Sequence, residues 1–212
     1  MQRIPCVLMR GGTSKGPVFL AWDLPVSVEE RDELLLSVMG SGHELEIDGI
    51  GGGSPQTSKV AIVSPSLHPE ADVDYLFVQV MVSQRRVDTA PNCGNMLCAV
   101  GPFAIEQGLV KAAGDSTRVR IRNLNTGTFV TSDVLTPNGK VSYEGDTVID
   151  GVPGSAAPVH PDVWLTLPNA TLSAWNASRC SATSWRRITG QRVTSAGVPA
   201  ASSPDGSYAG RA

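Results

Sequence analysis

The chain has 212 residues, 41% of them hydrophobic, and a formal net charge of −3. This length predicts a globular protein with one sizeable core or two small ones. The sequence has no run approaching the roughly 20 apolar residues of a membrane-spanning helix and no signal-peptide features, so we expect a cytoplasmic protein without a membrane partner. The acidic balance and the lack of a basic stripe argue against nucleic acid as a partner.

The composition changes near Pro158. Residues 158–212 contain five arginines, two aspartates and three of the four tryptophans, but neither lysine nor glutamate. Their apolar residues follow neither helical spacing nor sustained alternation, whereas residues 1–157 are richly patterned. We therefore expect a folded domain over residues 1–157 and treat residues 158–212 as separate from it.

The first predicted elements are two strands and a helix. Residues 4–9 and 18–22 read as strands on either side of the glycine-rich turn RGGTSKG at residues 10–16. A capping box at residues 27–30 predicts the start of a helix, and Gly40 predicts its end.

A second glycine-rich loop, IDGIGGGSPQTSK, occupies residues 47–59. Strands are predicted after it, at residues 60–64 and 73–82. The run CGNMLCAVGPFAIEQG has apolar residues at helical spacing, which predicts a helix that begins at Cys93 and ends at Gly108.

Further strands are predicted at residues 119–122, 128–135 and 141–144, with Asn138 and Gly139 as a hairpin turn between the last two. The mixture of elements predicts an α+β fold in which strands wrap one central helix. The sequence contains no internal repeat and no phosphate loop of the GxGxxG or Walker type.

Cys93 is the strongest candidate for chemistry. The first N–H groups and the positive end of a helix stabilise a thiolate, so a cysteine at a helix start can act as a base. Gly94 allows a ligand to approach the backbone closely, and the N–H groups of Gly94 and Asn95 can then bind a carboxylate. The alternative is that Cys93 is a small buried hydrophobic residue, as most free cysteines are.

The remaining cysteines and the histidines show no pattern of a catalytic or metal-binding site. The four cysteines show neither metal-type pairs nor the density of a disulfide-stapled domain, which predicts free thiols. Cys6 and Cys98 are expected to pack in the core. His43, His68 and His160 lack ligand spacing, so no metal site is predicted.

The two glycine-rich loops carry further candidates. Lys59 closes the second loop, where its ammonium can neutralise a carboxylate or deliver a proton, although a solvated surface lysine is the alternative. Arg10, Thr13, Ser14 and Lys15 combine a cation with hydroxyl groups in the first loop, and ordinary turn chemistry is the alternative there.

Six separated motifs occur in the order RGGTSKG, IDGIGG, TSKVAIVS, DVDYLF, CGNMLCAVGPFAIEQGLV and GDTVIDGVPG. Together they resemble the PrpF family of diaminopimelate-epimerase-like isomerases, over about residues 3–157. The resemblance implies two similar domains that face each other across a cleft, each a curved sheet rolled around a central helix. This chain would supply one of these halves.

The resemblance also implies an activity. The family moves a proton on a small unsaturated polycarboxylate without a cofactor, and we expect keto–enol tautomerisation of 4-oxalomesaconate, with cis–trans isomerisation of 2-methylaconitate as the alternative. Cys93 and Lys59 match the family's reactive cysteine and lysine. The expected substrate contacts are Arg10, Thr13, Ser14, Thr57, Ser58, Gly94 and Asn95.

The chain departs from the family pattern after about residue 157. Our hypothesis is that residues 158–212 come from a shifted reading frame or a truncated gene, with a genuine divergent tail as the alternative. A different class of function also stays open. The chain can be a non-catalytic anion-binding half that pairs with a second copy as a homodimer.

Overall fold

The computed structural model describes residues 3–165 and 180–188, with side chains up to residue 162. Nine strands and two α-helices alternate along this part of the chain, which confirms the α+β class. They are β1 (Cys6–Gly11), β2 (Ser14–Leu20), α1 (Val28–Met39), β3 (Lys59–Pro65), β4 (Val73–Val80), β5 (Val87–Asp88), α2 (Gly94–Glu106), β6 (Ser116–Asn123), β7 (Phe129–Leu135), β8 (Pro158–Leu165) and β9 (Cys180–Ile188).

The strands form one curled sheet that closes on itself. The order is β3-β2-β1-β9-β8-β7-β6-β4-β5, and β4 also pairs with β3, which completes a ring. The β2–β3 and β4–β6 pairs are parallel, and the other pairs are antiparallel. Closure leaves few unpaired strand edges, which is how such sheets avoid aggregation.

Helix α2 lies inside this ring and packs against β1 to β4 and β6 to β9. All ten residues from Met96 to Ile105 are buried. A helix that is apolar on every side is stable only when every side is covered, and the surrounding sheet provides that cover. The prediction of strands around one central helix is therefore confirmed.

Helix α1 covers the outer face of the sheet. The Ser27 side chain accepts a hydrogen bond from the Glu30 N–H, and Gly40 ends the helix in the left-handed conformation, with φ of 75°. Both terminal signals were predicted. Leu35 and Met39 are fully buried in an outer cluster that faces away from α2, so the domain has a layer on each side of β2, β3 and β4.

The predicted hairpin strand at residues 141–144 is wrong. After β7 the chain makes a 3-10 turn at Pro137–Gly139 and one return hydrogen bond, from the Ser142 N–H to the Leu135 carbonyl. It then leaves the sheet, because β8 pairs with the free edge of β7, with Val134 opposite Val159. Val141 instead packs its side chain against the inner core.

Two strands lie beyond residue 157, although the sequence there shows no strand period. Strand β8 pairs with β7, and β9 fills the space between β1 and β8. Their side chains beyond residue 162 lie outside the described residues. A boundary at residue 157 stays a prediction, but the sheet itself is continuous across that position.

We predict that β9 stabilises the domain by closing the ring. A chain ending at residue 179 leaves six residues of β1 without a partner strand on the side opposite β2. Its free energy of unfolding should fall by about 2 kcal/mol or more, since several backbone hydrogen bonds are lost. Urea unfolding measures this, with a chain ending at residue 188 as the matched control. Equal unfolding midpoints for the two chains would show that β9 contributes nothing.

Candidate active site

Cys93 is the N-cap of α2 and is 7% exposed. Its sulfur accepts a hydrogen bond from the Met96 N–H at 3.5 Å, and its carbonyl accepts one from the Leu97 N–H at 3.2 Å. The Tyr75 hydroxyl donates to the same carbonyl at 3.3 Å. The predicted place of this cysteine at a helix start is confirmed, and its sulfur points toward the free N–H groups of the first turn.

Lys59 lies directly beside this cysteine. Its Nζ donates to the Cys93 sulfur at 3.4 Å and lies 5.5 Å from the centre of the Phe77 ring. The main chain of Lys59 is packed against Gly16 so closely that a Cβ there would lie 1.7 Å from the Lys59 carbonyl oxygen. Only glycine fits at this contact. Strands β2 and β3 are thereby held at the spacing that brings lysine and cysteine together.

The first glycine-rich turn covers the start of α2. Ser14 is buried with its Oγ 3.9 Å from the Cys93 sulfur, and the Asn95 amide donates to the Thr13 hydroxyl at 2.9 Å. The Arg10 guanidinium donates to the Gly12 carbonyl at 2.8 Å. Burial lowers the pKa of Arg10 from its usual value. The structure thus places Ser14 beside the cysteine and Thr13 beside Asn95. The hydrogen bond from Arg10 to Gly12, by contrast, lies within the turn itself.

A cavity of about 300 Å³ adjoins this turn. It is lined by Gly12, Thr13, Asn95 and the segment 148–150. Asn95 and Thr13 offer polar groups from one wall, and the other wall combines the apolar Val148 and Ile149 with the acidic side chain of Asp150. The volume and mixed lining are those of a small-molecule pocket.

Thr57 and Ser58 lie in the second loop but have their hydroxyl groups engaged inside it. Ser58 is fully buried, its hydroxyl donates to Glu46 Oε2 at 2.5 Å, and the Ser54 carbonyl oxygen lies 2.8 Å from the same hydroxyl oxygen. Thr57 Oγ1 lies 2.9 Å from Ser54 Oγ. Their predicted contact with substrate stays a prediction, and in this geometry both hydroxyl groups hold the loop.

Two buried polar residues near the site were not found by sequence reasoning. Tyr75 is fully buried, and burial, followed by the nearness of Cys93, raises the pKa of its hydroxyl well above the usual value. It therefore serves as a neutral donor to the Cys93 carbonyl. Glu46 supports the second loop. The sequence offers only a weak signal for either, a tyrosine within a strand pattern and a glutamate directly before a glycine-rich run.

The expectation of four free thiols is wrong at Cys98, which is disulfide-bonded in the structure. Cys98 is fully buried, so its predicted place in the core is confirmed. Cys6 and Cys93 are free. The side chain of Cys180 lies outside the described residues.

Comparison with known proteins identifies the family of the chain. The sequence model of the PrpF protein family matches residues 1–170. The chain belongs to the PrpF family. The match continues past the resemblance seen in the sequence, through the whole of β8.

Individual relatives are close over the same part of the chain. The YbhH protein of Escherichia coli (strain K12) is 65% identical over 75% of this chain and 45% of that protein. The 4-oxalomesaconate tautomerase of Pseudomonas putida is 59% identical over 73% of this chain and 43% of that protein. The chain thus spans about half the length of these curated relatives.

A solved structure shows the same fold. The crystal structure of methylitaconate-delta-isomerase has a TM-score of 0.74 and 50% sequence identity, covering 76% of this chain and 72% of that chain. Within the described part of our chain, no helix is long and apolar enough to cross a membrane. The same part holds no group of three His, Cys, Asp or Glu side chains placed to bind a metal ion.

We predict that Cys93 is alkylated faster than Cys6 near neutral pH. Only the thiolate reacts, and burial raises the pKa of Cys6 to about 11, so that thiol stays protonated until the pH approaches 11. Cys93 has a helix N–H and an ammonium to stabilise its thiolate. Iodoacetamide labelling followed by peptide mapping measures the two rates, and a polycarboxylate should protect Cys93. Faster labelling of Cys6 would contradict the assignment.

Proposed function

We propose that this chain is the N-terminal half of an isomerase that moves a proton on a small unsaturated polycarboxylate, with 4-oxalomesaconate as the substrate and a keto–enol tautomerisation as the reaction. The observation that carries this proposal is the 3.4 Å contact between Lys59 Nζ and the Cys93 sulfur at the start of a buried helix. Family membership and the 59% identity to a 4-oxalomesaconate tautomerase support the substrate class.

The chemistry needs a base and an acid at one substrate. A carbon flanked by carbonyl and carboxylate groups has an acidic proton, and the Cys93 thiolate removes it. The electron pair left behind is delocalised along the conjugated system to the far end, where a proton is returned. Positioned groups of this kind contribute about 10²–10⁴ to the rate.

The site also has the charges that a polyanion requires. In this proposal the first-turn N–H groups of α2, at Gly94 and Asn95, hold one carboxylate, because a helix N-terminus attracts anions. Lys59 and Arg10 supply positive charge nearby. Thr13 and Asn95 line the adjoining cavity, where a carbonyl of the substrate can accept their hydrogen bonds, while Asp150 in the same lining disfavours a second carboxylate there.

A second domain would complete the site. The chain covers 45% of a curated relative. In our proposal, the part that it does not cover supplies the wall opposite α2 and a further proton carrier. The other candidate is an anion-binding half that dimerises without turnover. Loss of the substrate's conjugated absorbance measures turnover, and titration with an unreactive tricarboxylate measures binding. Binding without turnover by this chain would favour the second candidate.

We predict that Cys93→Ala abolishes most turnover in the chain completed with a second domain. The substitution removes the proton carrier but keeps the N–H groups of Gly94 and Asn95, so kcat should fall by about 10²-fold or more while affinity for substrate changes little. Steady-state kinetics measure both quantities. Near-normal kcat would remove the cysteine from the mechanism.

We predict a different result for Lys59→Ala in the same completed chain. Loss of the ammonium should raise KM. Added salt should reduce the difference in KM between the variant and the unsubstituted enzyme, since salt screens the attraction between the ammonium and the anionic substrate. If Lys59 also carries a proton, kcat at saturating substrate falls too. Lys111→Ala is the matched control, because it removes an exposed lysine that follows the C-terminal end of α2, whereas Cys93 lies at the N-terminal end. An unchanged KM and kcat in Lys59→Ala would exclude both roles.

A further inference from the structure

Glu46 is a buried carboxylate at a place where the sequence gives no reason for one. It is 1% exposed and lies directly before the glycine-rich loop of residues 47–59. Its backbone is in the left-handed region, with φ of 48°. Burying a carboxylate and holding a residue with a Cβ in this conformation both cost free energy. The surrounding contacts must offset that cost, and they identify what the carboxylate does.

One oxygen of Glu46 binds two points of the loop. Oε2 accepts from the Ser58 hydroxyl at 2.5 Å and from the Gly53 N–H at 2.9 Å. Within the described residues, Oε1 has no hydrogen-bond partner. Gly51 passes so close that a Cβ there would lie 2.1 Å from Oε2, so the loop is folded directly over the carboxylate.

One of these two points, Ser58, is the residue before Lys59. The Ser58 carbonyl accepts from the Val80 N–H at 3.1 Å and from the Gln79 side chain at 2.9 Å. Ser58 is therefore fixed through its side chain by Glu46 and through its main chain by β4. The direction in which β3 begins, and with it the origin of the Lys59 side chain, follows from these two attachments.

We propose that Glu46 is a positioning residue, which acts through Ser58 to hold Lys59 against the Cys93 sulfur. The inference rests on the proposed function in one respect, which is that the contact between Lys59 and Cys93 contributes to turnover. Glu46 touches neither the cavity nor the cysteine in the described structure. Its effect on chemistry is transmitted over one covalent step, from Ser58 to Lys59.

The two hydrogen bonds share one oxygen, and this makes the proposal testable with matched variants. Glu46→Gln keeps one carbonyl oxygen for both donors and places its amide where Oε1 has no partner. Glu46→Leu has a similar size and removes both bonds. Ser58→Ala removes the link between Glu46 and the residue before Lys59, together with the contact of the Ser58 hydroxyl with the Ser54 carbonyl. Glu44→Gln neutralises an exposed carboxylate of the same segment and is the control.

The first measurement is the rate of Cys93 alkylation by iodoacetamide in the 212-residue chain near neutral pH. Lys59→Met should lower the rate about tenfold, since it removes the positive charge that lies 3.4 Å from the attacking sulfur. Ser58→Ala and Glu46→Leu should lower it at least threefold. Glu46→Gln and Glu44→Gln should stay within a factor of two of the unsubstituted chain. A merely structural role for Glu46 would change unfolding midpoints without this pattern.

Several results would overturn the proposal. The first is that Cys93 in Ser58→Ala or in Lys59→Met is alkylated as fast as in the unsubstituted chain. The second is that Cys93 in Glu46→Gln is alkylated as slowly as in Lys59→Met. Circular dichroism tests whether Glu46→Leu folds. If it does not fold, the alkylation rate of Ser58→Ala alone decides whether the proposal holds. Because alkylation requires no turnover, a completed enzyme without isomerase activity would contradict the proposed function and leave this test intact.

Discussion

The burial of helix α2 is the constraint on which the rest of the structure depends. A run of ten buried residues cannot be left in contact with water on any side, so the strands must surround it. The helix N-terminus then opens at one end of the ring, where its first N–H groups have no partners within the helix. The same burial that holds the domain together thus creates an electropositive site, with Cys93 at its edge.

Two glycine-rich segments bring the cations and hydroxyl groups to that site. Gly16 lets β2 approach the main chain of Lys59, and Gly51 lets the second loop fold over Glu46. At each of these positions the lack of a side chain allows the backbone to pack directly against its neighbour, which makes the segment more rigid than a flexible loop. The glycines therefore act here as packing positions, and the lysine gains a fixed origin 34 residues before the cysteine that it touches.

The local elements were largely predictable because their signals are short-range. The capping box at Ser27, the left-handed stop at Gly40 and the apolar run after Cys93 each depend on neighbours within a turn or two. The failed prediction, a strand at residues 141–144, had the same kind of local signal. It failed because another strand, β8, takes the edge of β7, and competition for an edge is decided across the whole sheet.

By itself the sequence determined the class of fold, the place of Cys93 at a helix start, and the family through six ordered motifs. Only the tertiary structure decided that Lys59 reaches the sulfur, that Ser58 faces Glu46 inside its loop, that Cys98 is not a free thiol, and that β9 lies between β1 and β8. The reason is physical. Helix ends and turns are set by adjacent residues, whereas these contacts join segments far apart in the chain, whose distances exist only once the sheet has closed around α2.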